Sequence, residues 1–108
     1  MNYEVVYTDN FKREFKKLAK KYHSIRSDLE CLLDTLEENP VQGIAIGMDC
    51  YKIRMAIASK GKGKSGGARV ITHLYVDGNL VYLLSIYDKS DRETITNKEI
   101  ETLLKYLQ

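Results

Sequence analysis

Apolar positions recur along the chain in two periods. Phe11, Phe15, Leu18, Ala19 and Tyr22 fall at helical spacing and form one face of a helix that Thr8 or Asp9 can cap. Ile25, Leu29, Leu32, Leu33 and Leu36 repeat that spacing after Ser24, a second capping residue, and Asn39-Pro40 closes the segment. Only a few residues around His23 join the two stretches, which predicts an antiparallel helical hairpin. Before it, the β-branched and aromatic run at residues 3–7 predicts a first strand. After it comes a small-residue connector from Gly43 to Gly47, with a short edge strand at Ile44–Ile46.

Three longer strands are predicted at about 50–58, 68–76 and 80–87. Asp77-Gly78-Asn79 supplies the turn between the last two. Residues 80–87 are apolar on both faces, as in a strand inside a sheet. Thr96 and Glu99 match a capping box, followed by Ile100, Leu103, Leu104 and Leu107 at the spacing of a short C-terminal helix. The order β-α-α-β-β-β-α predicts an α+β fold in which the hairpin packs on a mostly antiparallel sheet and the other face, or its rim, is open for chemistry. At 108 residues the expectation is a single domain spanning 1–108.

Charge changes this picture in one place. Residues 49–76 hold six basic side chains and one acidic, whereas 1–48 hold seven and eight, and 77–108 four and six. A cationic block in an otherwise balanced chain points to a localised anion site, with phosphate the natural ligand. In the strand Tyr51–Ala58, Tyr51, Ile53, Met55 and Ile57 share the core face, leaving Lys52 and Arg54 together on the other. Lys60, Lys62 and Lys64 follow on a glycine-rich loop able to reach RNA phosphates, and Arg69 opens the next strand with a planar fork suited to phosphate oxygens. Tyr87 and Lys89 end the last strand near the same rim, where Tyr87 can stack on a base or take part in proton transfer. His73, in mid-strand, is a further candidate for contact with RNA.

Other chemistries fit less well. The segment 61–67 contains Gly-Lys-Ser, but a nucleotide-binding phosphate loop ending at Lys64-Ser65 requires glycine where Ala58 stands, and a helix where a strand pattern follows. Cys31 and Cys50 lack metal-ligand spacing and read as two free, partly buried thiols. No metal cluster or cofactor motif is apparent. No apolar run reaches the about 18 residues of a membrane span, and the N-terminus lacks a signal pattern, so no membrane partner and a cytoplasmic location are expected.

Taken in order, the opening strand, the Phe/Leu/Lys first helix, LLDTLEENPVQG, GMDCYKIR, GKGKSGGARVI and LLSIYDKSDRETIT resemble the RelE/ParE superfamily of bacterial toxin–antitoxin toxins, its RelE- and HigB-like mRNA interferases in particular. The resemblance implies a RelE-like fold and a metal-independent endoribonuclease that enters the ribosomal A site of the 30S subunit and cuts mRNA there, inhibiting translation. It implies catalytic roles for Lys52 and Arg54 on the strand, Arg69 as the transition-state arginine, and Lys89 as the end-of-strand cation. Arg54 stands where a RelE-type enzyme has a second lysine, and Thr94-Ile95-Thr96 where it has a base-stacking tyrosine, a role Tyr87 could take instead. The resemblance further implies a cognate antitoxin, expected to engage the helical hairpin or the sheet rim. Two other readings share the fold: a ParE-like inhibitor of DNA gyrase, and a catalytically weak module that binds RNA or antitoxin.

Overall fold

A computed structural model of the chain describes residues 2–107. Its elements are β1 (Glu4–Tyr7), α1 (Asp9–Lys21), α2 (Ile25–Leu36), β2 (Ile44–Gly47), β3 (Cys50–Met55), β4 (Ala68–Tyr75), β5 (Leu80–Asp88) and α3 (Asn97–Lys105), with 3₁₀ turns at Ala58–Lys60 and Val76–Gly78. The strands form one sheet in the order β1-β5-β4-β3-β2, antiparallel except where β1 pairs parallel to β5. The predicted α+β class is present and the element order approximately so, since β2 makes a fourth strand between the helical hairpin and α3.

The sheet has two covered faces. On one, Phe11 and Leu18 of α1 and Ile25, Leu29 and Leu36 of α2 pack against Ile53, Met55, Val70, Leu83 and Ile86. On the other, Ile95 and Ile100 close over Cys50, Ile71, Leu84 and Tyr87. The second face is thus not simply open: α3 and the segment leading to it occupy part of it, because Ile95, Ile100 and their half-buried neighbours Leu103 and Leu104 have apolar area to remove from water.

Local chemistry fixes the boundaries. Thr8 caps α1 by accepting from the Phe11 N–H, and Thr96 and Glu99 make both bonds of the capping box at α3. Ser24 makes no cap bond to its own helix. Its hydroxyl donates to Asp28 and accepts from the Ser59 N–H at 2.8 Å. The Ala58 N–H goes to Asp28 Oδ2 at 3.1 Å. These two captured amides end β3 at Met55, earlier than alternation alone predicts, and turn the chain into the 3₁₀ segment.

A bulge sets the phase of β5. Ile71 pairs with Ser85 but Thr72 with Leu83, so Leu84 is the extra residue. The shift puts Leu83 and Ile86, three apart, in one core and Leu84 and Tyr87 in the other. Beyond Tyr7 the outer edge of β5 has no strand partner among the described residues, and side chains of α1 take over the ladder. Asn10 donates to the Leu84 carbonyl at 2.9 Å, while Glu14 Oε1 accepts from Ser85 Oγ at 2.7 Å and from the Ile86 N–H at 3.3 Å.

Candidate functional site: a cationic row across three strands

The register of β3, β4 and β5 places Arg54 opposite Arg69, and Arg69 opposite Tyr87. Lys52 lies one pleat along, opposite Ile71 and diagonal to Arg69. Period-two alternation puts Lys52, Arg54 and Arg69 on the face away from α1 and α2. The sheet thereby brings together three of the cations read from the sequence.

Their environments differ sharply. Arg54 is exposed, and with Lys64 it borders a groove of about 490 Å³ between α2 and β3. Lys52 is half-buried, its Nζ 3.4 Å from Thr94 Oγ1. Arg69 is only 6% exposed. Its Nη1 donates to the carbonyls of Lys64 (3.0 Å) and Ala68 (3.1 Å), and its Nη2 to that of Ser65 (3.1 Å). The guanidinium that a phosphate would need is thus holding the loop in place. Lys62 and Lys64 themselves point from exposed positions, as does Lys89, whose N–H donates to the Gly67 carbonyl.

Tyr87 is 5% exposed, with the Arg92 guanidinium 5.1 Å above its ring. In this arrangement its ring has no open face for a base. Its hydroxyl is buried without a hydrogen-bond partner among the described residues, and burial pushes its pKa up. Arg92, which sequence reasoning passed over, is clamped by Glu99 through two bonds of 2.6 and 2.9 Å and also donates to the Thr94 carbonyl. The Arg92 fork, helped by the Thr96 N–H, holds the Glu99 carboxyl at about 2. No spacing signal in the sequence links Arg92 to Tyr87, since the contact exists only once α3 has docked.

Two residues expected to touch RNA lie elsewhere. Lys60 is turned to the helical side, where its Nζ sits 2.6 Å from Asp88. His73 is four residues up β4 from Arg69, opposite Cys50, with Nδ1 3.0 Å from the Met48 carbonyl and 3.6 Å from Cys50 Sγ. Burial, with a smaller contribution from Asp49, pushes the Cys50 thiol up to about 11, so it is held as the thiol rather than the thiolate at neutral pH. Cys31, read as partly buried, is exposed on α2. A cavity of about 700 Å³ lies between β1, the start of α1 and α3, away from the cationic row. Among the described residues no group of three or more His, Cys, Asp or Glu side chains could hold a metal ion, and no helix is long and apolar enough to cross a membrane.

Residues 9–108 match the family described as the RelE toxin of the RelE/RelB toxin–antitoxin system. The chain belongs to the RelE toxin family. Solved structures of the E. coli RelE toxin share its fold. A doubly substituted mutant in the free state aligns over 100% of both chains at 21% identity, with a TM-score of 0.64. The isolated E. coli RelE toxin aligns over 98% of this chain and 99% of its own at 21% identity and a TM-score of 0.62. A chain of the intact E. coli RelBE toxin–antitoxin complex aligns over 80% of this chain and 95% of its own, at 21% identity and a TM-score of 0.60. In this RelE-family chain the five-stranded sheet carries the row Arg54–Arg69–Tyr87, with the glycine-lysine loop folded against its middle member.

Proposed function

We propose that this RelE-family toxin is a ribosome-dependent endoribonuclease that cuts mRNA in the A site and so arrests translation. The observation that carries the reading is the cross-strand pair Arg54–Arg69 with Lys52 beside it, flanked by Lys62, Lys64 and Lys89. When the ribose 2′-hydroxyl attacks the adjacent phosphate, the 2′-O–P bond forms as the P–5′-O bond breaks, and negative charge gathers on the equatorial oxygens. Cations gathered on one side of that position stabilise the transition state more than the ground state. Arg54 and Arg69 supply permanent charge, and neither can act as a base because a guanidinium keeps its proton throughout the physiological range. We assign Lys52 as the group that takes the 2′-hydroxyl proton, and the departing 5′-oxygen takes up a proton from water. The loop lysines and Lys89 bind the flanking backbone. None of this chemistry calls for a metal ion.

The intact RelBE complex contains the E. coli toxin with its antitoxin. By that likeness we infer a cognate antitoxin here, bound at the helical hairpin or the sheet rim and acting in the cytoplasm, where ribosomes are. The test is tightly induced expression of the wild type, Lys52→Ala and Arg54→Ala, each with and without the neighbouring antitoxin gene, followed by mapping of mRNA 5′ ends. Growth arrest with breaks inside translated frames, lost in the variants, is the expected outcome. Arrest with intact mRNA and inhibited supercoiling would overturn it in favour of gyrase as target.

A further inference from the structure

Asp88 ends β5 beside the cationic row but on the opposite face, and its side chain is wholly buried. Its carboxylate gathers donors from three separate parts of the chain. Lys60 Nζ comes from the 3₁₀ turn at 2.6 Å, the Tyr22 hydroxyl from the end of α1, and the Ser90 N–H from the turn after β5 at 2.9 Å. Lys60 also donates to Ser90 Oγ, and its side chain is only 10% exposed. A carboxylate taken out of water is costly unless its oxygens are met in this way, so the cluster is a specified feature of the fold.

Both ends of the glycine-lysine loop converge on this residue. The loop departs at Gly61, immediately after Lys60. It returns through Gly67 and Ala68, where Ala68 pairs with Asp88 and the Lys89 N–H donates to the Gly67 carbonyl. Between those points the Lys64 and Ser65 carbonyls hold the two Nη atoms of Arg69. Gly61 and Gly63 both take positive φ, and a segment of this composition samples many conformations unless its ends are fixed.

We propose that Asp88 is a positioning residue: by anchoring Lys60 it fixes the start of loop 61–67, and through the loop carbonyls it sets the direction of the Arg69 guanidinium. That this direction matters for RNA cleavage rests on the function proposed above. That Asp88 orders the loop does not. Burial by itself would raise the Asp88 carboxyl, but the bonds from Lys60, Tyr22 and the Ser90 N–H outweigh it and hold the group at about 2, so the anchor is charged at neutral pH.

The experiment compares the wild type with Asp88→Asn, Lys60→Met and the double variant. Lys60→Met leaves Asp88 its bonds to Tyr22 and Ser90. The double variant removes both charges together, in case Asp88→Asn alone strands a buried ammonium and unfolds. Hydrogen exchange is read at the amides of Lys60, Gly61 and Gly67, which are bonded to Ile57, Ala58 and Lys64, together with the Arg69 Nε–H NMR signal. Exchange at these three amides is expected to rise roughly tenfold in folded variants while central amides of β4 and β5 hold their protection. The Arg69 signal is expected to broaden, and kcat for cleavage on programmed ribosomes to fall with little change in KM. A folded variant with wild-type exchange and an unchanged Arg69 signal would overturn the proposal. Faster exchange with wild-type kcat would overturn its catalytic part. Should the wild type itself cut no mRNA, the functional reading fails, and the exchange data alone decide whether Asp88 positions the loop.

Discussion

Replacing Arg69 with alanine is expected to damage the fold as well as the activity. The guanidinium makes three hydrogen bonds to carbonyls, and the residue is 6% exposed. Bonds from a charged group are each worth about 1.5–3 kcal/mol, while an acceptor that can turn to water recovers most of its loss. Lys64 and Ser65 are exposed and can do so, whereas Ala68 is buried in the sheet. With the lost packing of the aliphatic stem added, Arg69→Ala is expected to cost about 2–4 kcal/mol. That is a large part of the roughly 5–15 kcal/mol of a typical domain, and corresponds to a melting point lower by on the order of 10 °C or more. Arg54→Ala, at an exposed position in the same row, should stay within about 0.5 kcal/mol of the wild type. Urea unfolding followed by far-ultraviolet circular dichroism measures both. An Arg69→Ala protein within about 0.5 kcal/mol of the wild type would refute the reasoning and make Arg69 a free catalytic cation. If the reasoning holds, loss of toxicity in Arg69→Ala says little about chemistry, and Arg54 is the cleaner probe.

Other outcomes follow from particular contacts. The Asp88 carboxyl sits at about 2 against an ordinary 3.8, so its contribution of about 2 kcal/mol is complete above about pH 5 and is lost progressively as pH falls from there toward about 1. Acid unfolding should show that loss, and Asp88→Asn should flatten the curve in that window. Tyr87→Phe removes a buried hydroxyl that has no hydrogen-bond partner among the described residues, so its stability should match or exceed that of the wild type, by up to about 1 kcal/mol. At pH 7 a disulfide reagent should titrate exposed Cys31 in the folded protein, and reach buried Cys50 only after denaturant is added.

The helices and their ends could be read from the sequence because their signals are local. Phe11, Phe15 and Leu18 mark one face at helical spacing, and Thr96 with Glu99 makes the bonds that the capping box requires. The same holds for the row Lys52, Arg54 and Arg69, since strand alternation is a local rule. Where a long-range bond decides, local rules fell short. Ile57 continues the alternation of β3, but the amides of Ala58 and Ser59 are taken by side chains of Asp28 and Ser24. The turn between β2 and β3 places Met48 and Asp49 at φ 56° each, a conformation usually marked by Asn-Gly and here left unmarked. Tyr87 looked available as a stacking platform because nothing in its neighbourhood in sequence shows that Arg92 and Ile95 fold over it. Lys60 looked like its neighbours Lys62 and Lys64, yet a partner 28 residues away draws it to the other face.

RNA cleavage by the cationic row on the ribosome is tested most directly with mRNA on purified, programmed ribosomes, using the wild type and Arg54→Ala, both first shown to be folded. The wild type is expected to make ribosome-dependent cuts within the reading frame, and Arg54→Ala to have a single-turnover rate at least about tenfold lower, equivalent to about 1.4 kcal/mol of transition-state stabilisation. Intact mRNA with the wild type, or equal rates for the two proteins, would contradict it.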